Sequence, residues 1–123
     1  MKIEVSNGEI ADKLSILEIK LKNISDVDKR LNIEKEYNLL EKSFNSFFSK
    51  QDQLYIDLLT INEKLWDIED QIRDLERKQQ FDENFIETAR QVYITNDQRS
   101  EIKRKINEIT SSTLFEEKSY EQY

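Results

Sequence analysis

Lys13, Lys20, Trp66, Glu69, Arg73, Arg90, Tyr93, Asn96, Asp97 and Arg99 have the types and spacing to hold a small anionic ligand. Arg90, Tyr93, Asn96, Asp97 and Arg99 crowd one polar stretch around VYITNDQRSE, residues 92–101. Two guanidiniums beside an amide and a phenol can clamp a carboxylate or a phosphate, because the planar fork of arginine matches those groups bidentately. The same stretch also reads as a helix cap: Thr95 with Gln98 forms a capping box, and Asn96 and Asp97 compete for backbone groups where helices start. Trp66 and Arg73 share one helical face, where an aromatic ring and a guanidinium can hold a planar anion. Glu69 and Arg73 at i, i+4 equally make an ordinary helical ion pair. Lys13 and Lys20, one heptad apart, either snorkel to water or face Arg73 or Arg90 as a small anion site.

Glu63, Asp67, Asp70 and Asp74 add four carboxylates on one stripe at i, i+4, i+7 and i+11. Like charges at these spacings cost a few tenths of a kcal/mol per pair, so something must compensate. Three arrangements do so: solvation of an open face, pairing with Arg99, Lys103 and Arg104, or a hard cation such as Mg²⁺. The cation needs carboxylates converging from a second helix, so no metal and no cofactor is assigned.

Histidine and cysteine are both absent from the 123 residues. That removes imidazole acid–base chemistry, thiolate nucleophiles, disulfides and Cys/His metal centres. The formal net charge of −7 disfavours nucleic acid and anionic membranes, and KRK at 103–105 is too short and too surrounded by acid to reverse this. No apolar run spans a bilayer and the N-terminus does not read as a signal peptide, which together predict a cytoplasmic protein.

These side chains must be positioned by helices. Proline is absent, glycine occurs once and 37% of residues are charged, so the turn chemistry of sheets is missing. MKIEV at the start reads as extended. Ser6 and Glu9 form a capping box that starts a first helix near Asn7, apolar on two sides through Ile10, Leu14, Leu17, Leu21 and Ile24 and through Ile16 and Ile19. Ser25 with Asp28 signals the second helix, with Ile33, Tyr37, Leu40, Phe44 and Phe47 as its buried stripe. Ser49 is the next candidate cap. Leu54, Leu58, Ile61, Leu65, Ile68, Ile72 and Leu75 then repeat at 4,3 spacing over a third helix from Asp52 to Gln79, roughly 40 Å long.

Asp82 caps a fourth helix, with Phe81 stapled on Ile86 and with Phe85, Ile86, Ala89, Val92 and Tyr93 buried. Continued as one rigid helix, this stripe lies roughly 130° from Ile102, Ile106 and Ile109, which predicts a break at Thr95–Gln98 and a fifth helix to about Thr110. Residues 111–123 form a tail, docked or frayed. The expected architecture is all-α: a single domain over 1–123, an elongated bundle of about five helices with a long coiled-coil-like central helix.

The segments SNGEIADKLSILEIK, LWDIEDQIRDLERK, FIETARQVYITNDQRSEIKRKINE and EEKSY resemble signature blocks of a small domain-of-unknown-function family found in bacteria and their viruses. The resemblance covers nearly the whole chain. It implies a stand-alone helical protein and carries no activity, substrate or catalytic residue. Two functions therefore stand side by side. One is a non-enzymatic interaction or assembly module that forms a homodimer, with the long third helix supplying the seam. The other is a small all-α enzyme or binding protein acting on an anionic small molecule.

Overall fold

Four helices make up the computed structural model, which describes residues 1–119 and 121–123. They are α1 (Asn7–Asn23), α2 (Val27–Asn45), α3 (Gln53–Arg77) and α4 (Glu83–Ile109), and there is no strand among the described residues. Each helix starts on a side-chain oxygen that satisfies an otherwise orphaned N–H. Ser6 Oγ accepts from Glu9 N–H at 3.2 Å, one half of the expected capping box, while the Glu9 carboxylate turns to Lys103. Asp26 accepts from Lys29 at 2.9 Å, Asp52 from Leu54 at 2.9 Å and Asp82 from Phe85 at 3.2 Å. The second and third caps are thus aspartates and not Ser25 or Ser49. A carboxylate makes a charge-assisted bond and also favours the positive end of the helix dipole.

With its single glycine used elsewhere, the chain ends two helices by forcing side-chain-bearing residues into the left-handed region. Gln79 at φ 56° and Ser111 at φ 54° follow α3 and α4. At each end the paired bonds of a Schellman motif form: Gln80 to Leu75 O and Gln79 to Glu76 O, then Ser112 to Asn107 O and Ser111 to Glu108 O.

The expected break at Thr95–Gln98 does not occur, and α4 runs unbroken through it. Large apolar residues do not mark the buried stripe of α4: Ile86 and Tyr93 are exposed while Thr88 and Thr95 are buried. At 100° per residue Thr88, Thr95 and Ile106 fall within about 20° of one another, so one face serves the whole helix. Threonine supplies the small volume, and Thr88 Oγ1 returns its proton to Asn84 O at 2.7 Å. Phe81 likewise packs edge-on against Phe85, with ring centroids 5.2 Å apart, while Ile86 stays exposed.

α1 is the hub: it packs on α2, α3 and α4, while α3 and α4 also pack on each other and α2 lies along α1 and reaches α3 through the Phe44 side chain. The core gathers Ala11, Leu14, Phe44, Tyr55, Leu58 and Ile106, with the Phe44 ring 5.0 Å from that of Tyr55. Leu58, Ile68 and Leu75 of the α3 stripe are buried and the rest of it is half-buried. No helix among the described residues is long and apolar enough to cross a membrane.

Candidate functional site

Where α1, α3 and α4 meet, the core is polar. Gly8, Ala11, Asp12 and Ser15 lie along the face of α1 that enters this junction, and all are buried. Gly8 is placed by necessity: a Cβ there would sit 2.4 Å from the Lys103 carbonyl oxygen of α4. The close approach lets Gly8 N–H donate to Asn107 Oδ1 at 2.6 Å, while Asn7 N–H donates to Ser112 Oγ at 3.1 Å. With Ser6 serving Glu9, the first N–H groups of α1 are all consumed by protein acceptors, so this helix start is closed to an exogenous anion.

One turn further in, Asp12 is buried against Asn62 of α3 and Arg99 of α4. Asn62 Nδ2 donates to Asp12 Oδ1 at 2.9 Å and to Ser15 Oγ at 2.7 Å, and Ser15 in turn donates to Asp12 O at 2.7 Å. Arg99 Nε lies 3.3 Å from Asp12 Oδ1, close enough for an ion pair but too far off line for a hydrogen bond. Thr95 Oγ1, fully buried one turn away, also has no hydrogen-bond partner among the described residues. Burial raises the Asp12 carboxyl above the usual carboxylate range, and Arg99 and the Asn62 bond only partly offset it.

A second ion cluster lies beside the first. Lys103, 6% exposed, donates to Glu9 at 2.8 Å and to Glu116 of the C-terminal tail at 2.9 Å. Burial pulls the Lys103 ammonium down, but its bonds to Glu9 and Glu116 outweigh this and hold it above the ordinary lysine value. The same contact holds Glu116 below the usual glutamate range. Beyond it Arg104 pairs with Glu117 at 3.3 Å, Lys118 with Asp97 at 3.6 Å, and the Tyr123 ring stands edge-on to Tyr93 at 5.2 Å. The tail is therefore docked along α4, and a cavity of about 420 Å³ remains between them, lined by Asp97, Lys103, Arg104, Asn107 and tail residues.

Of the candidate residues read from the sequence, the structure brings Tyr93, Asp97 and Arg99 to this side of α4, with Asn96 half-buried among them. Arg90 is exposed, pairs with Glu87 at 3.1 Å and stands beside the Tyr93 hydroxyl, whereas the others lie apart. Arg73 and Glu69 form an exposed i, i+4 ion pair at 3.2 Å, Trp66 is half-buried, Lys13 is exposed and Lys20 half-buried. None of these lines either of the two best-formed cavities. In the carboxylate stripe Glu63 pairs with Lys22 of α1 at 3.1 Å and Asp74 with Lys78 at 2.8 Å. Arg99, Lys103 and Arg104 instead serve Asp12, Glu9, Glu116 and Glu117. Among the described residues no three acidic groups converge to hold a metal.

Asp12, Ser15 and Asn62 escape a reading that follows large apolar residues. The available signal was the run Gly8, Ala11, Asp12, Ser15, whose 3,1,3 spacing marks a small and polar stripe between the two apolar sides of α1. Over residues 1–123 the chain matches the model of a protein family described as a family of unknown function, DUF6165. No curated protein and no solved structure matches it significantly.

Proposed function

We propose that this chain, which belongs to the DUF6165 family, is a non-enzymatic helical interaction module that self-associates as a homodimer through the outer face of α2. The observation that carries this is surface. The protomer exposes 8601 Å², whereas a compact monomer of 14.8 kDa exposes about 7,000 Å² by the scaling of area with mass. The excess, about 1,600 Å², exceeds the roughly 800 Å² that each partner buries in a standard interface.

α2 offers the face. Its backbone lies along α1, its Phe44 side points into the core, and Val27, Leu31 and Leu39 are 71%, 59% and 64% exposed. With Lys35 they form one i, i+4 row, the ridge that two helices interdigitate in the commonest packing class. On a chain of net charge −7 this helix is neutral: Asp28, Glu34, Glu36 and Glu41 balance Lys29, Arg30, Lys35 and Lys42. Two copies can therefore meet there about a two-fold axis without like-charge repulsion. Size exclusion with light scattering at micromolar concentration gives close to twice 14.8 kDa, and Leu31→Glu with Leu39→Glu shifts the population towards the monomer mass. A wild-type monomer at every concentration overturns the proposal.

The second reading, a binding protein for an anionic small molecule, draws support from the cavity beside Lys103 and Arg104. It ranks behind because those cations already have carboxylate partners. A thermal-shift screen of small anions on wild type, Lys103→Gln and Arg104→Ala, the two cations that line the cavity, tests it. A shift in wild type that both variants lose favours it, and uniform melting temperatures remove it.

A further inference from the structure

We propose that the face of α4 beneath the C-terminal tail is an exchangeable docking site, and that a second copy of the chain fills it with its own tail. This surface is distinct from α2, and the inference stands independently of the α2 contact. The tail after α4 forms no helix or strand among its described residues, and charge pattern holds it in place. Glu116, Glu117 and Lys118 meet Lys103, Arg104 and Asp97, so a minus–minus–plus segment faces a plus–plus–minus helix surface. Phe115 adds its ring 5.7 Å from the Arg104 guanidinium.

The two sides of this contact differ in permanence. The tail side is loose: Glu116 and Glu117 are at least half exposed, and exposed ion pairs are weak and exchange readily with salt and water. The α4 side is anchored apart from the tail, because Lys103 also pairs with Glu9 of α1 at 2.8 Å. With the tail gone, that ammonium keeps its ion pair with Glu9 and loses the one with Glu116, so an occupant that brings a carboxylate restores the lost pair. A cavity of about 420 Å³ remains along the groove with the tail docked.

Geometry also bounds the segment that can exchange. Ser112 is anchored, since its hydroxyl accepts from Asn7 N–H at 3.1 Å and donates to Leu114 O at 2.9 Å. The exchanging arm therefore begins near Thr113, and an extended chain from there to Tyr123 reaches roughly 35 Å, enough to cross to a neighbouring molecule. Every copy carries one such arm and one such groove. Exchange remakes the same contacts in trans, so its cost is that of association alone, the usual route to a swapped dimer.

The test uses full-length chains carrying Leu31→Glu and Leu39→Glu, so that α2 plays no part. In that background one chain carries Glu116→Lys and Glu117→Lys, which spoils the arm, and another carries Arg104→Glu, which spoils the groove. All of these positions are exposed, and circular dichroism verifies that each chain is helical. A labelled peptide of residues 113–123 binds the spoiled-arm chain at least tenfold more tightly than it binds the chain with its own arm intact. That binding is lost when Arg104→Glu is added and weakens with salt. Mixing the spoiled-arm and spoiled-groove chains yields a heterodimer in native mass spectrometry that neither forms alone. Absence of the peptide binding, or of the heterodimer, overturns the proposal.

Discussion

Asp12→Asn is the substitution that separates two accounts of the buried junction. If the Asp12–Arg99 ion pair holds α1 to α4, neutralising Asp12 is severe. If the junction is held by hydrogen bonds and merely tolerates the charge, it is mild. The structure favours the second account, because burial raises the Asp12 carboxyl by more than Arg99 and Asn62 lower it. A carboxyl whose folded value is raised contributes stability below its ordinary value of 3.8 and loses it as pH rises through the raised value. At pH 7 the ionised form is therefore a burden on the fold. The amide in Asp12→Asn keeps an oxygen for the Asn62 N–H and discards the charge, so its stability at pH 7 stays within about 1 kcal/mol of wild type or exceeds it. Asp12→Ala removes the acceptor as well and strands a guanidinium and an amide. Removing one member of a buried pair costs about 3–5 kcal/mol. Arg99 keeps 28% of its side chain exposed, which places the loss at the lower end, about 3 kcal/mol or roughly 10–15 °C in Tm for a chain of this length. Urea and thermal unfolding of the three proteins at pH 7 measure this directly. Equal losses for Asp12→Asn and Asp12→Ala would refute the reasoning.

Gly8→Ala runs against helix propensity: alanine is worth about 1 kcal/mol more inside a helix, yet the new methyl would sit 2.4 Å from Lys103 O. Forcing α1 and α4 apart makes the net effect a loss of about 1–2 kcal/mol in urea unfolding. Gln79→Gly and Ser111→Gly go the other way, each gaining about 0.5–1 kcal/mol, because glycine enters the left-handed region without a Cβ clash. Tail docking depends on pH with the sign opposite to Asp12. Lys103 holds the Glu116 carboxyl below its ordinary 4.5, so the contribution is present above 4.5 and is lost as pH falls below it. NMR of the Tyr93–Tyr123 ring contact then shows release of the tail on acidification, before the helices melt.

The sequence displayed the helices more clearly than their partners. Ser6 and Asp82 cap where expected, and the α3 stripe turns inward as its 4,3 spacing requires. What misled was volume taken as a proxy for burial. In α4 two threonines occupy the inward face that Ile86 and Tyr93 were expected to fill, so a phase shift in the large residues looked like a broken helix. In α1 an aspartate and a serine sit where the hub meets both neighbours, a place that periodicity of apolar residues cannot mark. Ion pairs between helices were least legible: Arg99 and Lys103 stood out as cations, but their partners Asp12, Glu9 and Glu116 come from elements whose adjacency only the folded chain reveals.

The buried polar junction also resolves an ambiguity that the apolar pattern leaves open. The α3 stripe repeats over three heptads, so sliding α3 by seven residues against its neighbours would return apolar residues to the same seam. Asn62 sits one heptad from Tyr55 and one from Glu69. A slip in one direction would put the Glu69 carboxylate against buried Asp12, two like charges with no donor between them. A slip in the other would push the Tyr55 ring into a space where Asp12 and Ser15 are already fully packed, and would take that ring away from Phe44. Only in the observed register does an amide meet both Asp12 and Ser15 as a donor. The energy of burying Asp12 and Arg99 is small or unfavourable, so their value to this fold lies in selecting one alignment of α1, α3 and α4 among several that the apolar stripe alone would permit.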